Sequence, residues 1–293
     1  MRRGSSTGSW LVTDKRRLTV GLVQMRTGID RRRSVDEAIH LIRQAASRGA
    51  RLIVTPEMTN VLDRDKARLF AHLDEEAALE EIGRFHDLAT DLGVTLAIGS
   101  MAVLLPGDPP KIANRAYVFG AGGRWVTYDK IHLFDVDLPT GESWRESRTM
   151  VAGQTAGLVE AAGTRIGLSI CYDLRFPHLY RALARAGAEI LTVPAAFTVP
   201  TGKAHWEVLL RARAIENAAY VLAPAQGGRH EDGRATWGHS TVVAPTGEVL
   251  ATLDHDEPGV VVADLDLDLV NETRMRIPSL TLEHDIPVRI SDL

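Results

Sequence analysis

The 293-residue chain has a single cysteine, Cys171, so it can form no intramolecular disulfide and nothing marks an oxidising compartment. It has no apolar run approaching the roughly 20 residues that a membrane-spanning helix needs. Neither sign of charge is in excess, since 34 Lys and Arg stand against 38 Asp and Glu for a net charge of -4. That balance gives no bulk electrostatic reason to bind nucleic acid or an anionic membrane. No Gly-rich phosphate loop and no zinc-ligand spacing is present, so neither cofactor nor metal is expected. Aromatic residues are few, at 5%, but hydrophobic residues make up 45% of the chain, enough for a large core and against general disorder. A soluble, cytoplasmic, globular protein working on a small molecule is expected.

Residues 1–17 (MRRGSSTGSWLVTDKRR) are basic, with only Trp10 to Val12 apolar. That run is too short for a signal-peptide core, and the segment reads as a flexible lead-in. From Leu18 the pattern becomes regular. LTVGLVQM (18–25), RLIVTPE (51–57) and TLAIGSMAV (95–103) read as buried strands. Between them lie a helix with Ser34 as its N-cap and a helix-rich stretch from Glu75 to Leu92. NRAYVFG (114–120) and RWVTYDKIHLF (124–134) are strand-like, and residues 135–153 read as a long functional loop. Strands at 165–171, 189–194 and 220–226 alternate with helices at about 177–187 and 204–219. A hairpin turns about Pro245–Gly247, GVVVADLD (259–266) is the last strand, and the final twenty residues read as an extended tail. Apolar strands separated by amphipathic helices describe an α/β fold with mixed sheets. Without a linker or repeat, one domain over 18–285 is expected, with 286–293 as the C-terminal tail.

Three strand ends carry chemistry. Cys171 closes RIGLSIC, where α/β folds place nucleophiles and ligands, although a strand cysteine is commonly a small buried hydrophobe. Glu57 closes RLIVTPE behind Pro56, and Lys130 closes RWVTYDK; each alone reads as a solvated strand-end charge. As a set they have a chemical reading. A carboxylate beside a thiol can take its proton and return it to a leaving amine. An ammonium can stabilise an oxyanion beside the backbone N–H that follows the nucleophile. That is acyl transfer through a thioester without metal or histidine.

With these segments in view, PE at 56–57, YDKIHLFDVDLP at 128–139 and CYDLRFPHLY at 171–180 resemble the signatures of the nitrilase, or carbon–nitrogen hydrolase, superfamily. The resemblance covers residues 18–285. It implies a four-layer α-β-β-α sandwich and homodimers or larger homo-oligomers. It also implies that Glu57 is the general base and acid, Lys130 stabilises the tetrahedral intermediate and Cys171 is the nucleophile. Glu146, in RES, matches the family's second glutamate, with Glu142 as its rival. Lys130 and the Tyr172 N–H would form the oxyanion hole. KAHWEVLLRARAIEN (203–217) and QGGRHEDGRATWGHS (226–240) resemble the deaminated glutathione amidase branch, while ω-amidases share KIHLFDVD and AFTVPTGKAHW. That shared stretch contributes Phe197 and Thr198 as expected substrate contacts.

Other residues keep two readings. Arg175 can anchor a substrate carboxylate or serve a structural ion pair. Arg213 and Glu216, three apart on a helix, read as a surface or interface pair. Arg229, His230 and His239 lie in a Gly-rich loop able to close over a pocket or to stay on the surface. Asp264, Asp266 and Asp268 alternate along an edge strand, a poor geometry for a metal site.

Overall fold

The computed structural model describes residues 15–120, 122–137, 141, 143–284 and 286–291. The first half contains β1 (Arg17–Gln24), α1 (Arg31–Ser47), β2 (Leu52–Val54), α2 (Lys66–His72), α3 (Glu80–Leu92), β3 (Thr95–Leu105), β4 (Lys111–Phe119) and β5 (Trp125–Asp129). Two short strands, β6 (Asp135–Asp137) and β7 (Ser143–Arg145), lead into β8 (Gly157–Ala161) and β9 (Thr164–Leu168). Then follow α4 (Pro177–Arg185), β10 (Ile190–Thr192), α5 (Val199–Asn217) and β11 (Tyr220–Ala223). The chain continues through β12 (Gly227–Arg229), β13 (Ala235–Trp237), β14 (Thr241–Val243), β15 (Val249–Thr252), β16 (Gly259–Asp266), α6 (Asp268–Arg276) and α7 (Ser279–Leu282).

Two six-stranded sheets result, ordered β16-β1-β2-β3-β4-β5 and β15-β14-β11-β10-β9-β8. Both are mixed: β1, β2 and β3 are parallel, as are β9, β10 and β11, with antiparallel strands at the flanks. Side-chain alternation explains how the sheets stack. Val20, Leu22, Leu52, Val54, Ala116 and Val118 share a core with Ile166, Leu168 and Leu191 of the second sheet. Their neighbours Val23, Ile53, Leu96, Ile98, Tyr117 and Phe119 point the other way, against α1 and α3. On the far side α4 and α5 cover the second sheet through Tyr180, Leu183, Trp206 and Leu210. The order of layers is therefore α-β-β-α, as the resemblance implied.

Several boundaries differ from the sequence reading. Asp30, rather than Ser34, caps α1, its carboxylate accepting the Arg33 N–H at 3.1 Å. Ser34 lies inside the helix, buried, and donates back to the Asp30 carbonyl at 2.8 Å. Helix α5 starts five residues before the expected 204, because Pro200 falls in its first turn, where a missing N–H costs nothing. Residues 15–17 belong to the edge of the first sheet rather than to a lead-in. Lys15 pairs with Asp266 at 3.1 Å and Arg16 with Glu189 at 2.8 Å. The earlier lead-in residues, 1–14, lie outside the described residues. The expected extended tail holds α7 and the end of α6, and Asp268 opens α6 instead of continuing the strand.

The two sheets approach closely at Gly99. A Cβ there would lie 2.3 Å from Pro194 Cβ of the opposite sheet and 2.1 Å from the Thr55 carbonyl oxygen. The register of β3 shifts between Ile98 and Met101. The residues in that shift grip the loop after β2, since the Thr59 N–H donates to the Ser100 carbonyl and the Met58 N–H to the Ser100 hydroxyl. Gly99→Ala is expected to destabilise the fold by about 3 kcal/mol, the upper end for overpacking, because backbone must move. Urea denaturation measures this; a loss below about 0.5 kcal/mol, the scale of an ordinary surface change, would show that the seam yields freely.

Candidate active site

Because β2, β3 and β5 run in the same direction, the C-terminal ends of β2 and β5 share one edge of the first sheet. Bridges from Met25 to Gln226 and from Ala195 to Ala225 tie this edge to the C-terminal ends of β10 and β11. Glu57, Lys130 and Cys171 each emerge at this seam, and each is buried.

Lys130 Nζ donates to Glu57 Oε1 at 2.9 Å and to both oxygens of Glu146, at 3.0 and 2.9 Å. Glu57 also accepts from Asn114 Nδ2 at 2.9 Å and, through its other oxygen, from the Ala196 N–H at 3.0 Å. The Cys171 thiol lies close enough to the same carboxylate for the two to interact. Glu146 accepts the Phe134 N–H at 2.7 Å, so the segment expected as a functional loop holds it against the lysine. Glu142, the rival, lies outside the described residues.

The charges follow from this packing. Burial, the largest influence on Glu57, opposes its ionisation. Lys130, with Cys171 and Asn114 beside it, overcomes it and holds the carboxyl below the usual range. Burial likewise works against the Lys130 charge, but Glu146, Glu57 and Cys171 together raise its pKa well above the ordinary value. Glu146 is raised, first by burial and then by Glu57, with Lys130 opposing. Burial and the Glu57 charge push the Cys171 thiol well up, so at rest it keeps its proton. The arrangement is a protonated thiol beside an ionised carboxylate.

Cys171 sits at φ +50°, at the junction of β9 with a short 3₁₀ turn over Cys171–Arg175. This places a strained residue at a strand-to-helix elbow, the geometry that exposes a nucleophile. Its N–H is held by the Pro194 carbonyl at 2.9 Å. The Tyr172 N–H, second in that turn, finds no acceptor among the described residues. Below the elbow, Asp173 is fully buried. It accepts from Tyr128 Oη (2.7 Å), the Ile170 N–H (2.9 Å) and the His132 N–H (3.0 Å), and it meets His132 Nδ1 at 2.7 Å.

Arg175 lies over the rings of Tyr172 and Phe197, at 5.9 and 5.4 Å. Its guanidinium meets His205 Nδ1 at 3.3 Å, and no carboxylate pairs with it among the described residues. Phe197 is buried against Trp206, and Thr198 is held by Thr201 at 2.8 Å at the start of α5. Arg213 is not on the surface. It is buried, donates to the Leu174 carbonyl at 3.1 Å and pairs with Glu216 at 3.0 Å, bracing the elbow from α5. His230 is also interior, meeting the Thr27 carbonyl (2.8 Å) and Thr236 (2.7 Å), and burial pushes its pKa down to about 4. His239 stacks on Trp237, while Arg229 is exposed.

A family model described as carbon-nitrogen hydrolase matches residues 19–275. The chain belongs to the carbon-nitrogen hydrolase family. It is 40% identical over 250 residues to the deaminated glutathione amidase of Synechocystis sp., covering 84% of this chain and 91% of that one. To the chloroplastic omega-amidase of Arabidopsis thaliana it is 35% identical over 270 residues, covering 89% and 71%. A solved amidase of Nesterenkonia sp. AN1 superposes with a TM-score of 0.71 at 26% identity, over 90% of this chain and all of that one. Its structure shows Michael addition of acrylamide at the active-site cysteine. As a carbon-nitrogen hydrolase, this chain is an enzyme acting on amides.

Sequence reasoning missed four supports of this hydrolase site: Asn114, Asp173, Gln226 and the Ala196 N–H. Gln226, fully buried, donates to the Glu57 carbonyl at 2.9 Å. It ends an apolar strand as Glu57 does, a signal available but unused. Asn114 sits within a strand, where nothing separates it from its neighbours in NRAYVFG.

Lys130→Met leaves two carboxylates buried without their cation and is expected to cost about 3–5 kcal/mol near pH 8. Without the ammonium both folded-state carboxyls rise above their unfolded values. Their protonated forms then favour folding at low pH, and that contribution is lost as pH rises through the raised values. The deficit relative to wild type should therefore shrink from pH 8 to pH 5. Denaturant titrations at the two pH values check the sign, and a deficit independent of pH would show that the cluster is not charged.

Proposed function

We propose that the protein is a thiol amidase that cleaves the amide of a small 2-oxo acid, with deaminated glutathione as substrate and 2-oxoglutarate and cysteinylglycine as products. The observation that carries this reading is the contact of one ionised, buried carboxylate, Glu57, with both the Cys171 thiol and the Lys130 ammonium. In the first half-reaction, Cys171 sulfur bonds to the amide carbon as its proton passes to Glu57. The oxyanion rests against Lys130 and the Tyr172 N–H, while Glu146 fixes the lysine. Collapse of the intermediate breaks the C–N bond, and Glu57 returns the proton to the leaving amine. In the second half-reaction Glu57 takes a proton from water as the water's oxygen attacks the thioester. The acid leaves and the thiol is restored.

Names borne by relatives support the substrate class. The 40% match carries the deaminated glutathione activity and the 35% match the omega-amidase activity. No helix among the described residues is long and apolar enough to cross a membrane; a cytoplasmic location belongs to the same reading. Val208 and Ile215 lie seven residues apart on α5, exposed at 69% and 54%, and this supports a homo-oligomer joined through that face.

Steady-state kcat/KM on deaminated glutathione, 2-oxoglutaramate, glutamine and a carbamoyl amino acid tests the reading, which requires deaminated glutathione to lead. Leadership by 2-oxoglutaramate would make the protein an omega-amidase, and turnover of none would leave a scaffold of this fold. Cys171→Ala and Glu57→Gln should each lower kcat by about a thousandfold or more, as loss of a catalytic nucleophile or base does, with circular dichroism unchanged. Retention of a tenth of wild-type kcat, a barrier change of only about 1.4 kcal/mol, would remove the residue from its role.

Arg175 carries a further expectation, as the anchor of the 2-oxo acid carboxylate. Arg175→Ala should raise KM for 2-oxo acid amides by about 10- to 150-fold, the value of a charge-assisted hydrogen bond. A neutral amide such as butyramide has no carboxylate to lose. Equal losses on both would make Arg175 a structural residue.

A further inference from the structure

The segment RHEDGR (229–234) forms the tight connection from β12 to β13, closed by hydrogen bonds from the Gly233 N–H to the His230 carbonyl and from the His230 N–H to the Arg234 carbonyl. With His230 locked to Thr27 and Thr236, this connection holds Arg234 in a fixed place. Arg234 Nε donates to Asp232 at 2.7 Å, and Asp232 is its single salt-bridge partner among the described residues. No hydrogen bond occupies its two terminal amino groups among those residues. Asp63, the other nearby carboxylate, is taken up by Arg68 at 2.6 and 2.8 Å. Burial acts against the Arg234 charge, and both Glu57 and Arg64 lie close enough to influence it. Among the described residues the cation is thus under-compensated, and Glu57 lies within its electrostatic reach.

Its guanidinium lies 5.4 Å from the ring centroid of Trp144, and that of Arg64 lies 4.8 Å from the same ring. The indole Nε1 of Trp144 is buried and has no partner among the described residues, although a buried indole N–H ordinarily finds an acceptor. From Trp144 the rings continue to the residue after Cys171, to Phe134 at 6.2 Å and from Phe134 to Tyr172 at 5.1 Å. Arg175 stands over Tyr172 at the far end. An aromatic rim with a cation at each end therefore passes beside Cys171.

We propose that Arg234 and Trp144 form a second anion subsite that takes a carboxylate on the amine side of the scissile amide, opposite the acyl-side carboxylate held by Arg175. This inference rests on the amidase reading above and refines its substrate class to linear amides that are anionic on both sides of the bond. Arg234 offers its free amino groups as a fork, and Trp144 adds a single N–H donor. An amide with an unsubstituted nitrogen reaches Arg175 but leaves this subsite empty.

The test measures binding in a Cys171→Ala background, where turnover cannot intervene, by calorimetry with deaminated glutathione and with 2-oxoglutaramate. The parent should bind deaminated glutathione at least about tenfold more tightly, the lower value of a charge-assisted contact. Adding Arg234→Gln should reduce that preference by about 10- to 150-fold. Because Arg234→Gln also strips buried Asp232 of its cation, Trp144→Phe provides a second variant that keeps the ring and removes the N–H. It should reduce the preference by about tenfold, the lower value of a hydrogen bond to a charged group. Equal affinities in the parent, or a preference unchanged in both variants, would overturn the subsite while leaving the amidase reading in place. If the parent binds neither ligand, the 2-oxo acid reading itself fails and the subsite fails with it.

Discussion

The contact on which this structure depends is the burial of one ammonium, Lys130, between two carboxylates, Glu57 and Glu146. A charge taken out of water costs several kcal/mol unless it is paired and its remaining hydrogen-bonding groups are satisfied. Here Asn114, the Ala196 N–H and the Phe134 N–H supply those further bonds. The groups come from both sheets and from the loop between them, so none of these segments can shift without exposing a charge to an apolar interior. The cluster is therefore a constraint on how the two sheets meet and, in the proposed mechanism, the catalytic device as well.

Its consequence for chemistry is a division of protons at rest. The same ammonium that keeps Glu57 ionised stands beside a thiol whose burial, and whose carboxylate neighbour, keep it protonated. In the proposed mechanism the proton moves only once substrate is bound, because the forming oxyanion gives Lys130 a new partner. Strain at Cys171 and the buried Asp173 beneath it keep the sulfur aimed while that happens.

The α/β class and the strand ends that carry Glu57, Lys130 and Cys171 were legible because each depends on a local pattern: an apolar run that stops on a functional group. Glu146 required the resemblance, since its segment is polar throughout. The supports were illegible for a different reason. Asn114 sits in the middle of an ordinary strand, Ala196 acts through its backbone N–H, and Asp173 becomes a hub only when Tyr128 and His132 are brought 45 and 41 residues back to it. Arg213 shows the limit of reading by periodicity. Its spacing from Glu216 suggests a surface pair, but burial beside Tyr180 and the Leu174 carbonyl makes it a brace. Pro200, which suggests a break, lies instead where a helix can begin.

Because Cys171 is the only cysteine in the chain, its ionisation can be read without interference. Thiolate absorbance at about 240 nm, taken as the difference between wild type and Cys171→Ala across the pH range, tests the account most directly. The account predicts that the Cys171 thiolate forms only well above the ordinary cysteine value of about 8.5. A thiolate already formed below about pH 7, as in cysteines paired with a cation, would contradict it, because the resting site would then hold an ion pair instead of a thiol waiting on its base.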